Sequence, residues 1–196
     1  GGRVLFDQPV EGYRSAIDPV LLAAAVPAKA GETVLELGSG AGAASLCLAV
    51  RVPGCRITGV EQDATLVALA NANACANNVA DRVRFVVGDI AAAQPDIDTG
   101  GFDLVMANPP FLEAARADLR GVDLRDSGAR NAGDARWRAA TIEGEATLDV
   151  WLRRMCGAAR RKGRVVLIHR ADRLGDIMAG LTGKAGDITI LPLWPK

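Results

Sequence analysis

The chain is poor in the residue types that most often announce a site by themselves. It has one histidine, His169, and four cysteines, Cys47, Cys55, Cys75 and Cys156, with no Cys-x-x-Cys pair among them. One imidazole and four scattered thiols make no ligand set for zinc or an iron–sulfur cluster, so no metal is expected and the thiols read as small buried hydrophobes. Aromatic residues are scarce too, with four Phe, three Trp and one Tyr, which argues against an extended stacking platform for single-stranded nucleic acid. No apolar run approaches the ~18 residues of a membrane span, and Gly1-Gly2-Arg3-Val4 lacks the pattern of a signal peptide or an anchor. A soluble, cytoplasmic protein is expected. Net charge is absent as well, with 23 basic and 23 acidic side chains.

What the chain does have is unevenly distributed. Residues 1–112 hold 7 basic and 12 acidic side chains, whereas residues 113–173 hold 14 and 9. The basic part starts with Arg116, Arg120, Arg125, Arg130, Arg136 and Arg138, and a positive field beside a pocket attracts a polyanion such as RNA. Asp118, Asp123, Asp126 and Asp134 interleave with these arginines, so a solvated loop remains an equal alternative.

A length of 196 residues with 49% hydrophobic content suits one well-buried core. Strand-like and helix-like stretches alternate from residue 31 onward, the pattern of an α/β, Rossmann-like, doubly wound and mostly parallel sheet with helices on both faces. The expected strands are Thr33–Leu37, Arg56–Val60, Val83–Val87, Phe102–Met106, Arg164–His169 and Asp187–Leu191. The expected helices are Val20–Val26, started by a capping Asp18 before Pro19, then Ala41–Val50, Ala64–Asn77 capped by Asp63, Glu145–Arg161 and Ala171–Leu181. A single domain over 1–196 follows. Residues 1–30 form an N-terminal segment and first helix over the crevice, 31–112 a cofactor-binding half, 113–142 a long substrate-side loop, and 143–196 the C-terminal half. The chain begins without Met and stops at Leu193-Trp194-Pro195-Lys196 directly after a strand with no evident partner. Such an apolar edge is a liability, so the natural protein is expected to extend further.

Thr33–Leu37 runs into Gly38-Ser39-Gly40-Ala41-Gly42 and then a helix. Glycines permit a tight turn and close approach of a ligand, and the new helix offers unpaired N–H groups. Glu61, at the end of the next strand, is placed to grip a ribose, as in dinucleotide sites, so an NAD(P)-binding oxidoreductase fits this loop. Two further carboxylates tilt the balance. Glu36 lies inside the first strand, where it suits a cationic ligand group better than a pyrophosphate, and Asp89, followed by Ile90, ends the third strand where it can accept from an adenine amine. A ligand with a positive charge, two hydroxyls and an adenine matches, and S-adenosylmethionine has all three.

Asn108-Pro109-Pro110-Phe111 follows the fourth strand. Neither proline carries an N–H, so the segment offers acceptors and almost no donors, which suits an –NH2 group, and Phe111 adds a flat apolar face for a planar ring.

With these residues the sequence resembles the class I S-adenosylmethionine-dependent methyltransferases. Val34–Gly42 is similar to their first motif, Val60-Glu61 to the acidic end of their second strand, Gly88-Asp89-Ile90 to their adenine contact, and Asn108–Phe111 to the motif of enzymes that methylate planar nitrogens. Residues Gln8–Ala23 resemble the start of the bacterial tRNA (adenine-N6) methyltransferases. The resemblance implies that Tyr13, Arg14, Asp18 and Gln62 join Glu36, Gly38, Gly40, Gly42, Glu61, Asp89, Ile90 and Asn108 around the cofactor. Asn108, Pro109, Pro110 and Phe111 then carry the chemistry. It further implies a C-terminal antiparallel hairpin, of which this chain holds only the first strand. The same core and motif occur in enzymes for ribosomal RNA guanine and for a protein glutamine, so these stay open as substrates, as does a noncatalytic RNA-binding module.

Overall fold

The computed structural model describes residues 2–10, 14–92, 100–111, 142–144 and 146–194, and its centre is a five-stranded sheet in the order β3-β2-β1-β4-β5 with every neighbouring pair parallel. The elements run α1 (Asp18–Ala25), β1 (Thr33–Leu37), α2 (Ala43–Arg51), β2 (Arg56–Glu61), α3 (Ala64–Ala76), β3 (Val83–Val87), β4 (Phe102–Ala107), α4 (Leu148–Ala158), β5 (Ala159–Leu167), a 3-10 turn (Ala171–Arg173) and α5 (Leu174–Leu181).

Side chains alternate between the two faces of a strand, and this separates two cores. Val34, Ile57, Leu104 and Met106 pack with Leu22, Leu46, Leu48 and Ala70 of α1, α2 and α3. Leu35, Leu37, Val60, Val105 and Ala107 point the other way, onto Trp151 and Met155 of α4. Helix α5 meets the sheet at Leu167, the end of β5. Its Ile177 and Leu181 cover Leu148 and Leu152 on the outer side of α4.

Polar side chains set several boundaries. Asp63 caps α3 by accepting from the Thr65 and Leu66 amides at 2.8 and 3.4 Å. The expected cap at Asp18 is not formed: Asp18 lies inside the first turn of α1, the N-cap is Ile17, and no side chain caps the helix. An acidic residue there still favours the positive end of the helix.

Four expectations need correction. Helix α4 stops at Ala158 rather than Arg161, because Ala159 pairs with Phe102 and opens β5 early; the ladder then shifts register before Leu104 pairs with Arg164, with Lys162 at φ +63°. Strand β5 correspondingly ends at Leu167, so Ile168 and His169 lie just past it. The sixth strand, Asp187–Leu191, is not formed. Ile188 and Ile190 alternate as a strand would, but among the described residues no strand pairs with them, and they are 42% and 55% exposed; without a ladder the alternation has nothing to dictate. Of the four cysteines only Cys55 is fully buried, and Cys75 is exposed. The long loop 113–142 lies outside the described residues, apart from Ile142. Among the described residues no helix is long and apolar enough to cross a membrane.

Candidate active site

Strand order decides where a ligand can bind. The chain steps outward from β1 to β2 to β3, then returns to the opposite side of β1 for β4, so connections leave β1 and β4 toward opposite faces and open a crevice at their C-terminal ends. The register pairs Leu37 with Ala107. The residues that follow, Gly38 and Asn108, therefore begin the two walls of that crevice.

The glycine loop is held by its own backbone. The Ser39 amide donates to the Val60 carbonyl at 3.0 Å and the Gly42 amide to the Ser39 carbonyl at 2.9 Å, while Gly42 forms the N-cap of α2. Gly38, at φ +68°, lies flat on an indole: a Cβ there would meet Trp151 Cη2 at 2.5 Å. Gly40 differs. At φ +53° its Cβ would meet nothing within 4 Å, so its bare Cα faces open space. The Ser39 hydroxyl is buried with no partner among the described residues, a group that a ligand can satisfy.

Glu61 is aimed by two backbone donors, Gly40 N–H on Oε2 and Asp63 N–H on Oε1, both at 3.0 Å. Gln62 beside it is exposed. Asp89, also exposed, accepts from the Ala91 amide at 2.8 Å. The half-buried Ile90 offers its carbonyl to Arg154 Nε at 3.1 Å. These groups line the C-terminal ends of β2 and β3, next to the glycine loop.

Glu36 sits in a different setting from the one expected of it. It is 3% exposed, and its Oε2 accepts from the Ser45 amide at 3.0 Å and from the Ser45 hydroxyl. Burial pushes its carboxyl up to about 8 against the lowering effect of the Ser45 bonds, and the charge of Glu61 pushes the same way as burial. At neutral pH it is an uncharged acid bracing the loop from beneath, rather than an anion in the crevice.

Asn108, Pro110 and Phe111 are half-buried and Pro109 is buried. Among the described residues no hydrogen bond engages the Asn108 amide. Arg14 is exposed and Asp18 half-buried, at the start of α1; Tyr13 lies outside the described residues.

Sequence reasoning missed four supports. Ser45 and Trp151 brace the glycine loop from below and from the side. On α3, Asn73 accepts from the Asp7 amide at 2.9 Å and donates to the carbonyls of Asp7 and Ala41, while Asn77 exchanges the same pair of bonds with Leu5. The N-terminal segment is thus laced to the helix and, through Ala41, to the loop. An asparagine inside α3 and another four residues on, at its C-cap, were the available signal, since Asn in a helix interior is a poor helix former kept for its amide. The fourth is a buried ion pair, Glu143 with Arg173, whose Glu143 Oε2 also accepts from the Leu148 amide at 3.1 Å and so caps α4.

The methyltransferase small domain family matches residues 16–123. The tRNA1(Val) (adenine(37)-N6)-methyltransferase of Porphyromonas gingivalis is 30% identical over 177 residues, which cover 87% of this chain and 64% of that protein. The release factor glutamine methyltransferase of Chlorobaculum tepidum is 38% identical over 84 residues, 42% of this chain and 29% of that protein. The chain thus spans less than two thirds of the length of these relatives. A predicted O-methyltransferase from Agrobacterium tumefaciens shares the fold with a TM-score of 0.60 at 20% identity, over 84% of this chain and 66% of that one. The dinucleotide reading of the glycine loop is set aside. A match that runs from the start of α1 to beyond β4 makes this chain a member of the methyltransferase small domain family.

Proposed function

We propose that the protein is an S-adenosylmethionine-dependent N-methyltransferase acting on the exocyclic amine of a nucleobase, adenine N6 in a tRNA. The observation that carries the reading is the register of β1 against β4, which sets Gly38 beside Asn108 at one crevice mouth. The residues fit the cofactor. Gly40 leaves open space against the backbone, the buried Ser39 hydroxyl lacks a partner among the described residues, Glu61 stands where ribose hydroxyls need an acceptor, and Asp89 with Ile90 suits the adenine. The family resemblance adds Tyr13, Arg14 and Asp18 to the residues that would hold the cofactor. When bound, the cofactor supplies a methyl group already activated by its sulfonium.

The protein's own task is then to hold a flat amine in line and exclude water. The amine of adenine is a weak nucleophile because its lone pair is delocalised into the ring. The Asn108 side-chain oxygen and the Pro109 carbonyl accept its two N–H bonds, which localises the lone pair and stabilises the positive charge that develops. Phe111 stacks on the base, which must first leave its own stack at a cost of a few kcal/mol, least in a loop. An RNA substrate of this kind puts the enzyme in the cytoplasm.

Labelled S-adenosylmethionine with unmodified total RNA, followed by mass spectrometry of the nucleosides, tests the reading: N6-methyladenosine is expected, and label on guanosine moves the substrate. Asn108→Ala is expected to lower turnover roughly 10²-fold while cofactor affinity holds; wild-type turnover in that variant removes the mechanism. A second reading follows from the glutamine methyltransferase similarity over 84 residues, since a glutamine amide is also a planar –NH2. Label on a release factor and none on RNA would select it.

A further inference from the structure

We propose that His169 is a positioning residue for the acceptor-amine site, its imidazole N–H donating to the Pro110 carbonyl and so holding the Asn108–Phe111 segment in place. The proposal rests on the reading of that segment given above. It starts from what the two prolines remove. In the parallel ladder between β4 and β5, the Ile168 amide donates to the Ala107 carbonyl at 3.2 Å, with Ala107 paired to Leu167. The next rung requires an N–H on residue 109, which proline lacks, and residue 110 lacks one too. The backbone ladder therefore ends where the acceptor carbonyls begin. Carbonyls that must be aimed to within a fraction of an ångström are left without strand pairing.

His169 lies one residue past the last rung. Both of its ring nitrogens are buried without a closed hydrogen bond; the register that pairs Leu167 with Ala107, carried two residues on, brings residue 169 level with Pro109, and the adjoining Pro110 carbonyl and Arg170 backbone act on the ring as acceptors. A buried imidazole with two unsatisfied nitrogens calls for an explanation, and hydrogen bonds of a ligand-free site often close only when substrate is in place. Burial, and after it the nearby Arg173 charge, hold the imidazole below the ordinary histidine range, against the Pro110 carbonyl, the Arg170 backbone and Glu143 acting upward. The ring is neutral at pH 7, with one N–H to give. Arg173 and Glu143 are themselves locked in a buried ion pair, with Arg173 Nε on Asp176 at 2.7 Å, so the two charges that act on the ring are held in place. His169 continues the ladder by a side chain where the backbone cannot.

His169 is the only histidine in the sequence, so its nitrogens can be read without assignment. The experiment compares wild type, H169F, which keeps a ring without a donor, and H169Q, which keeps a donor. Three readouts are taken: methyl transfer to RNA, cofactor affinity by calorimetry, and long-range 1H–15N spectra with the Pro110 carbonyl 13C shift. The expected result is a kcat in H169F lower by roughly 10- to 100-fold, cofactor affinity within about twofold of wild type, substantial recovery in H169Q, and a Pro110 carbonyl shift that moves in H169F and returns in H169Q. Wild-type kcat in H169F, an H169Q as impaired as H169F, or an unmoved Pro110 resonance each overturns the proposal. Failure of the functional reading looks different: the wild-type protein then transfers no methyl to RNA, and the Pro110 shift still decides whether the contact exists.

Discussion

Replacing Glu36 by Gln asks whether the glycine loop is built on a neutral carboxyl. In the unfolded chain Glu36 titrates near 4.5, and in the fold its carboxyl rises to about 8, first through burial and then through Glu61. Between those values the native state keeps a proton that the unfolded state releases. Its contribution to stability is thus fully present below pH 4.5 and is lost as the pH climbs through about 8. From pH 5 to pH 9 that loss amounts to about 4 kcal/mol, a large share of the ~5–15 kcal/mol that holds an ordinary domain folded. Gln keeps an oxygen for the Ser45 N–H and O–H and cannot ionise. Urea unfolding of both proteins at pH 5, 7 and 9 reads the effect as a difference, in which groups common to both cancel. The variant should gain on the wild type steadily with pH, by about 4 kcal/mol in all. A difference that does not change with pH would refute the reasoning, because it would mean that the carboxyl is either ionised in the fold or open to water.

Gly40→Val is expected to leave the protein folded, since a Cβ there meets no atom within 4 Å, at a cost of about 1–2 kcal/mol for a branched residue at positive φ. It should weaken S-adenosylmethionine at least ~10-fold in a calorimetric titration through the side chain now in the crevice. Asn73→Ala removes the amide that joins Asp7 and Ala41 to α3 and is expected to destabilise by about 1–3 kcal/mol. Hydrogen exchange at Leu5 and Asp7 should rise well beyond that at β1; equal changes in both would show global loosening instead.

Local chemistry made much of this protein readable. Thr33–Leu37 and Val83–Val87 form with the expected ends, because short β-branched runs bounded by turn residues admit few other structures in a sheet covered on both sides. Asp63 caps its helix because a carboxylate two and three residues before free amides needs no tertiary partner. The turn after Thr33–Leu37 was legible for the same reason, as glycine acts on its own backbone and Gly38, Gly40 and Gly42 all take positive φ. Where the outcome depended on a distant partner, local reasoning failed. Arg160 and Arg161 sit in β5 and not in a helix because Phe102 offers a ladder to Ala159, and Ile188 and Ile190 stay out of the sheet because nothing described pairs with them.

The amino-acid order alone thus determined most of the strands and helices, the glycine loop after β1 and the donor-poor segment after β4, each a property of a residue and its immediate neighbours. Only the tertiary structure decided that Glu36 is a buried neutral acid under Ser45, that Gly38 rests on Trp151 while Gly40 faces open space, and that both ring nitrogens of His169 are buried. Burial and contact between residues far apart in sequence set charge state and access, and no pattern along a single chain carries that information.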